Sequence, residues 1–252
     1  MKPTFLKYEK PLLTVILQCK NPETAIRRIE KSLEIGGEAF GLQTESLEKE
    51  YRNSETYKKI FAAMQGRPIY VTNYRTSANK GISDEELAKG LLTLADCGAT
   101  LCDVMGDLFC KHPEELTDNE EAIAKQIELI ERLHEKGAEV LMSSHLYKYA
   151  PAERVLEIAR EQQRRGADIV KIVTKAENME QQIENLRITH LLKKELKVPF
   201  LFLSGGECML HRRVGANIGS CMYLCVYEHD ENSTAAQPLL EKIKLIRDNM
   251  EW

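Results

Sequence analysis

The chain has 252 residues, with 35 Lys and Arg against 39 Asp and Glu, a net charge of −4 and an apolar fraction of 43%. Such a composition suits a soluble globular protein with a sizeable core and excludes a disordered or collagenous one. The slightly acidic balance gives no general attraction to nucleic acid or anionic membrane, and no apolar run approaches the roughly 20 residues that span a bilayer.

The first apolar run, Leu12 to Cys19, reads as a strand and not as the core of a signal peptide, because no small-residue cleavage site follows it. Asn21 and Pro22 then open an amphipathic segment as cap and first helical residue, and Gly36 stands where that helix should stop. Further β-rich runs begin at Ala39, Pro68, Thr100, Glu139, Ile169, Pro199 and Ser220. Helical segments lie between them, one opening at Ser83 and stopping at Gly98, others ending at Gly137 and Gly166.

Eight β-then-α units in a chain of this length predict a single-domain (β/α)8 barrel over residues 1–252. The strands are mostly apolar along their whole length, as expected when both faces are covered. The rival, an open doubly wound sheet, would carry a Gly-rich turn after its first strand, and LQCKNPE has none. Between Phe202 and Ser220 the pattern is least regular. SGGECM is expected to form a loop over one mouth, and the seventh helix to be short.

The seven cysteines (Cys19, Cys97, Cys102, Cys110, Cys208, Cys221 and Cys225) are odd in number and irregularly spaced, which suits reduced thiols in a cytoplasmic protein. Cys102, Cys110 and His112 come nearest to a metal cluster but lack a second ligand pair at zinc-like spacing, so no metal is expected.

In a barrel the chemistry belongs at the C-terminal ends of the strands. Strand six, IVKIVTK, buries Lys171 between Val170 and Ile172. A desolvated lysine is either paired with a barrel carboxylate or tuned toward a nucleophilic amine, which makes Lys171 the leading imine-forming candidate and Lys175, nearer the rim, its rival. His145 ends strand five beside it, placed to move a proton near an imine. Arg212 or Arg213 before strand eight, and Arg75 after strand three, are candidate carboxylate clamps, with solvated surface charge as the plainer reading. Ser233 and Gln237 lie in a polar loop, STAAQ, after strand eight.

MSSH on strand five, ADIVKIV on strand six, an Arg before a segment ending in GS, and Ser-x-x-x-Gln after strand eight together resemble type I 3-dehydroquinate dehydratases. The resemblance implies a (β/α)8 barrel, often dimeric, that needs no metal or organic cofactor. In it Lys171 forms an imine with the substrate ketone, His145 removes the adjacent proton, and Arg212, Arg75, Ser233 and Gln237 hold a small carboxylate substrate. The departures lie on strands two and four. Gly41 and Gln43 replace a Glu-x-Arg pair, with Gln43 left as a substrate contact, and Met105 replaces a glutamate that supports the histidine. These changes are expected to enlarge or neutralise the pocket and to leave His145 without its acid unless Asp103, Asp107 or Glu45 supplies one. The dehydratase is weighed against another class I Schiff-base lyase or aldolase, which would need a phosphate nest beyond strands seven and eight. The third reading is a catalytically quiet ligand-binding barrel.

Overall fold

The computed structural model describes residues 3–250. Eight strands alternate with helices: β1 Leu12–Leu17, α1 Pro22–Ile35, β2 Ala39–Gln43, α2 Ser54–Ala63, β3 Ile69–Thr72, α3 Asp84–Asp96, β4 Leu101–Met105 and α4 Glu120–Glu135. They continue as β5 Glu139–His145, α5 Ala152–Arg164, β6 Ile169–Lys175, α6 Met179–Glu195, β7 Phe200–Gly205, α7 His211–Val214, β8 Met222–Cys225 and α8 Leu240–Asp248. All ladders are parallel, in the order β7-β6-β5-β4-β3-β2-β1-β8. Just ahead of β8, Cys221 N–H donates to the Phe200 carbonyl at 2.8 Å. Beside it the Ser220 hydroxyl bridges the N–H and carbonyl of Phe202, and these bonds close the seam of the barrel.

The local signals act as the sequence predicts. The Asn21 side chain accepts from Thr24 N–H with Pro22 at the first helical position, and Ser83 and Glu86 form a reciprocal capping box on α3. The seventh helix is a four-residue turn. Among the described residues, no helix is long and apolar enough to cross a membrane.

Alternation along each strand divides the apolar side chains between two regions. One set faces the helices around Leu13, Val15, Phe40, Leu42, Val71, Val104 and Val140. The other fills the barrel, where Ile16, Ala39, Tyr70, Leu101, Leu141, Ile169, Leu201 and Met222 pack with Phe5 from the N-terminal segment. Phe5 is fully buried and its backbone N–H donates to Glu139 at the start of β5, so it plugs the floor. Above that apolar layer the inward positions turn polar, and the site begins there.

Candidate active site

Lys171 is 4% exposed in the middle of β6, level with Ser143 on β5. Its Nζ lies 2.6 Å from the Tyr74 hydroxyl, 3.0 Å from that of Tyr70 and 3.1 Å from Asp103 Oδ2. Both tyrosine hydroxyls donate to the same Oδ2, and Ser143 donates to Oδ1 at 2.5 Å. The proton inventory closes: three ammonium protons meet three acceptors, and each phenol gives its one proton to the carboxylate. Burial, then the Asp103 charge, pushes both phenols well above the usual tyrosine range, so they remain neutral donors.

Gly41 is explained by this cage. A Cβ there would stand 2.5 Å from Ile16 Cδ1 and 2.9 Å from Tyr70 Cδ1. The Tyr70 ring occupies the space a side chain on β2 would need, so Gly41 does not enlarge the pocket as the sequence suggested. It admits the tyrosine that reaches the lysine.

His145 sits at the rim, and its acid comes from none of the residues considered in the sequence. Glu115, in the β4–α4 loop, places Oε2 2.6 Å from His145 Nδ1 and 3.1 Å from the backbone N of the same residue. Glu115 has φ 47°, a left-handed conformation that costs a non-glycine residue about 1 kcal/mol or more. Its carbonyl accepts from the Ser144 hydroxyl at 2.7 Å. Gly106 makes room, since a Cβ there would stand 2.5 Å from that carbonyl oxygen. The buried Arg165 guanidinium holds the loop through the Gly106 and Thr117 carbonyls. The other acids are engaged elsewhere: Asp103 with the lysine cage, Asp107 with Arg75, and Glu45 with the Thr72 hydroxyl.

Arg212 in α7 is 9% exposed, its Nε has no partner, and among the described residues no carboxylate pairs with it. Burial and the neighbouring Arg213 press the guanidinium down to about 10, which marks an uncompensated cation. Arg213 points elsewhere and reaches the Ala236 carbonyl at 3.5 Å. Gln237 is buried with Oε1 unpartnered. Lys171, Lys175, His145, Arg212, Gln237, Gln43 and Thr234 share one cavity of about 340 Å³, with Gly205 and Gly206 of the SGGECM segment in its wall. An adjoining lobe of about 480 Å³ runs past Gln43, Tyr74, Arg75, Met105, Glu115 and His145 toward β3 and β4.

Two expected contacts are placed differently. The Ser233 hydroxyl turns into its own loop, accepting from Asp230 N at 2.8 Å and donating to its carbonyl, while Thr234 lines the cavity instead. Gln18 at the end of β1 pins that loop across the mouth through Thr234 N and Oγ1, each at 3.1 Å. Arg75 is held by Asp84 and Asp107 at 2.7 and 2.6 Å and borders only the outer lobe.

Residues 13–249 match the model of the type I 3-dehydroquinase family. A 3-dehydroquinate dehydratase of Alkaliphilus oremlandii (strain OhILAs) is 35% identical over 95 residues, a match spanning 36% of this chain and only 37% of that protein. Among solved structures, 3-dehydroquinate dehydratase from Geobacillus kaustophilus HTA426 superposes with a TM-score of 0.79 at 16% identity, covering 95% of this chain and 91% of that one. Type I 3-dehydroquinate dehydratase from Clostridium difficile, carrying covalently modified comenic acid, gives 0.79 at 18% identity, with 96% and 93% covered. At those identities the structures speak for the fold alone. The family match spans nearly all of the barrel, and the chain belongs to the type I 3-dehydroquinase family, a dehydratase class of carbon–oxygen lyases.

Proposed function

We propose that this protein is a Schiff-base dehydratase that removes water from 3-dehydroquinate or a closely related cyclic keto acid. Lys171 captures the ketone as an imine, which acidifies the adjacent C–H. His145, aimed and charge-compensated by Glu115, takes that proton and returns it to the departing hydroxyl. Arg212 pairs with the substrate carboxylate, with Gln237, Gln43 and Thr234 around it.

One observation carries the reading. A caged barrel lysine, an acid-supported histidine and a buried guanidinium lacking its own carboxylate open into a single cavity. A guanidinium desolvated without a counter-ion is costly unless an anionic ligand completes it. That requirement favours a carboxylate-bearing ligand, and the caged lysine beside an acid-supported histidine favours chemistry on it over quiet binding. An aldolase for phosphorylated sugars gains little support, since α7 is four residues long and presents no long-helix N-terminus. A homodimer, a cytoplasmic setting and a place in the shikimate route to aromatic amino acids accompany the proposal on family resemblance alone.

The test is turnover of 3-dehydroquinate, followed by ultraviolet absorption of the conjugated enone that loss of water creates. Turnover that disappears in Lys171→Ala and in Lys171→Arg supports the proposal. Absence of turnover with 3-dehydroquinate and with related cyclic keto acids would refute it.

A further inference from the structure

We infer that Tyr74 is a catalytic residue in this protein, the proton carrier for making and breaking the Lys171 imine. The inference rests on the dehydratase reading and deepens it by dividing the proton traffic between two residues.

The geometry singles out Tyr74. Its hydroxyl is the nearest polar atom to Lys171 Nζ, at 2.6 Å, and its second partner is Asp103. Tyr70 touches the same two groups but borders neither lobe, whereas Tyr74 lines both. The Tyr74 ring also meets His145 edge-on, with centroids 5.5 Å apart and planes at 82°. Glu115 occupies one ring nitrogen of His145, leaving the other for the substrate carbon that loses its proton. Tyr74 is held firmly: its backbone N–H donates to Glu45, and the next residue, Arg75, is clamped by Asp84 and Asp107.

In the resting cage Lys171 carries three protons and has no lone pair to offer, so imine formation begins with a transfer inside the cage. One ammonium proton passes to Asp103, and the freed amine attacks the ketone carbon to form the C–N bond. The substituted nitrogen then gives a proton to the Tyr74 oxygen while the Tyr74 hydroxyl gives its own to the former carbonyl oxygen, yielding a neutral carbinolamine. The proton held on Asp103 passes through Tyr74 to that hydroxyl, the C–O bond breaks, and water leaves. The balance is one ammonium and one ketone giving one iminium and one water, with Asp103 again a carboxylate, Tyr74 again a phenol and no change of oxidation state. Hydrolysis of the product imine runs the same path backwards. A phenol kept neutral by burial beside Asp103 can do this at neutral pH without holding a net charge.

Rapid mixing with 3-dehydroquinate followed by a borohydride quench reads the reduced adduct by mass against time. Tyr74→Phe, which removes one oxygen and keeps the ring, is expected to slow adduct formation about 100-fold, the usual scale of a lost proton donor–acceptor. Deuterating the substrate carbon that loses its proton should slow unmodified turnover more than it slows Tyr74→Phe turnover, because imine formation then limits the variant. Adduct formation in Tyr74→Phe as fast as in the unmodified protein would overturn the proposal and leave the dehydratase reading intact. Absence of any Lys171 adduct in the unmodified protein would overturn both. A second measurement needs no variant: adduct formation in the unmodified protein should be slower in D2O than in H2O, and equal rates would contradict a proton relay.

Discussion

Glu115 Oε2 lies 2.6 Å from His145 Nδ1 and 3.1 Å from the backbone N of the same histidine, so one carboxylate oxygen fixes both the ring and the strand end that carries it. The bond leaves Nε2 as the nitrogen available to substrate. Glu115→Gln is therefore expected to lower kcat by about 100-fold with a smaller change in KM, since it removes the compensating charge while keeping the side chain's shape. Met105 borders the same lobe as Glu115 and His145. Met105→Glu alone should not raise turnover, but in the Glu115→Gln background it should restore part of it. A gain from Met105→Glu in the otherwise unmodified protein would mean that Glu115 does not serve the histidine.

Arg212 sets function against stability. Arg212→Met should weaken a carboxylate substrate by roughly 100-fold, about 3 kcal/mol, because the buried cation is its proposed partner. The same change should stabilise the unliganded protein by about 2 kcal/mol in urea titrations, because it removes a desolvated charge that lacks an acid. Arg213→Ala should do little to either. Equal binding losses from Arg212 and Arg213 substitutions would show that neither meets substrate in the way proposed.

Glu45 gives a pH dependence whose sign follows from its burial. Desolvation, with a smaller contribution from Asp103, lifts its carboxyl to about 7 despite the Thr72 and Tyr74 hydrogen bonds that favour the charged form. Between the ordinary glutamate value and about 7 the folded state then holds a proton that the unfolded state has lost. Stability should accordingly fall as pH rises through that window, by about 3 kcal/mol for this group taken alone. Glu45→Gln should flatten the fall in urea midpoints measured from pH 4.5 to 8. A slope unchanged by the substitution would show that Glu45 ionises normally in the folded protein.

Gly41 is a packing requirement. Gly41→Ala should destabilise the protein by about 1–3 kcal/mol, because its Cβ meets the rigid Tyr70 ring and Ile16. It should also lower activity by displacing Tyr70 from Lys171. Combining it with Tyr70→Leu should cost less than the two changes summed, as expected for residues that share one space. Additive costs would mean that ring and Cβ do not compete.

The barrel was legible because its signals are local and repeated: apolar runs of strand length, caps such as Asn21 and Ser83, and stops such as Gly36. Lys171 and His145 were legible because strand parity places both on the inner side at adjacent registers. The structure brings them together with Arg212, Gln237 and Gln43 in one cavity. Glu115 was not legible. It lies in an irregular loop, and what brings it to His145 is a left-handed backbone, the missing side chain at Gly106 and the arginine that follows α5, none of which leaves a periodic trace. Tyr70 and Tyr74 carried a faint signal, two tyrosines around the end of β3, but a strand tyrosine is ordinarily core. Arg75 and Ser233 are the reverse case, since spacing places them near the site while nearby acids and backbone engage their polar atoms.

The proposed chemistry turns on a covalent bond between Lys171 and a keto-acid substrate. Incubation with 3-dehydroquinate and borohydride, followed by proteolysis and mass spectrometry, tests it most directly. A single reduced adduct is expected on the peptide containing Lys171, with fragment ions that place it on Lys171 and not on Lys175, and it should be lost in Lys171→Arg. An adduct on Lys175, or continued dehydration of 3-dehydroquinate by Lys171→Arg, would contradict it.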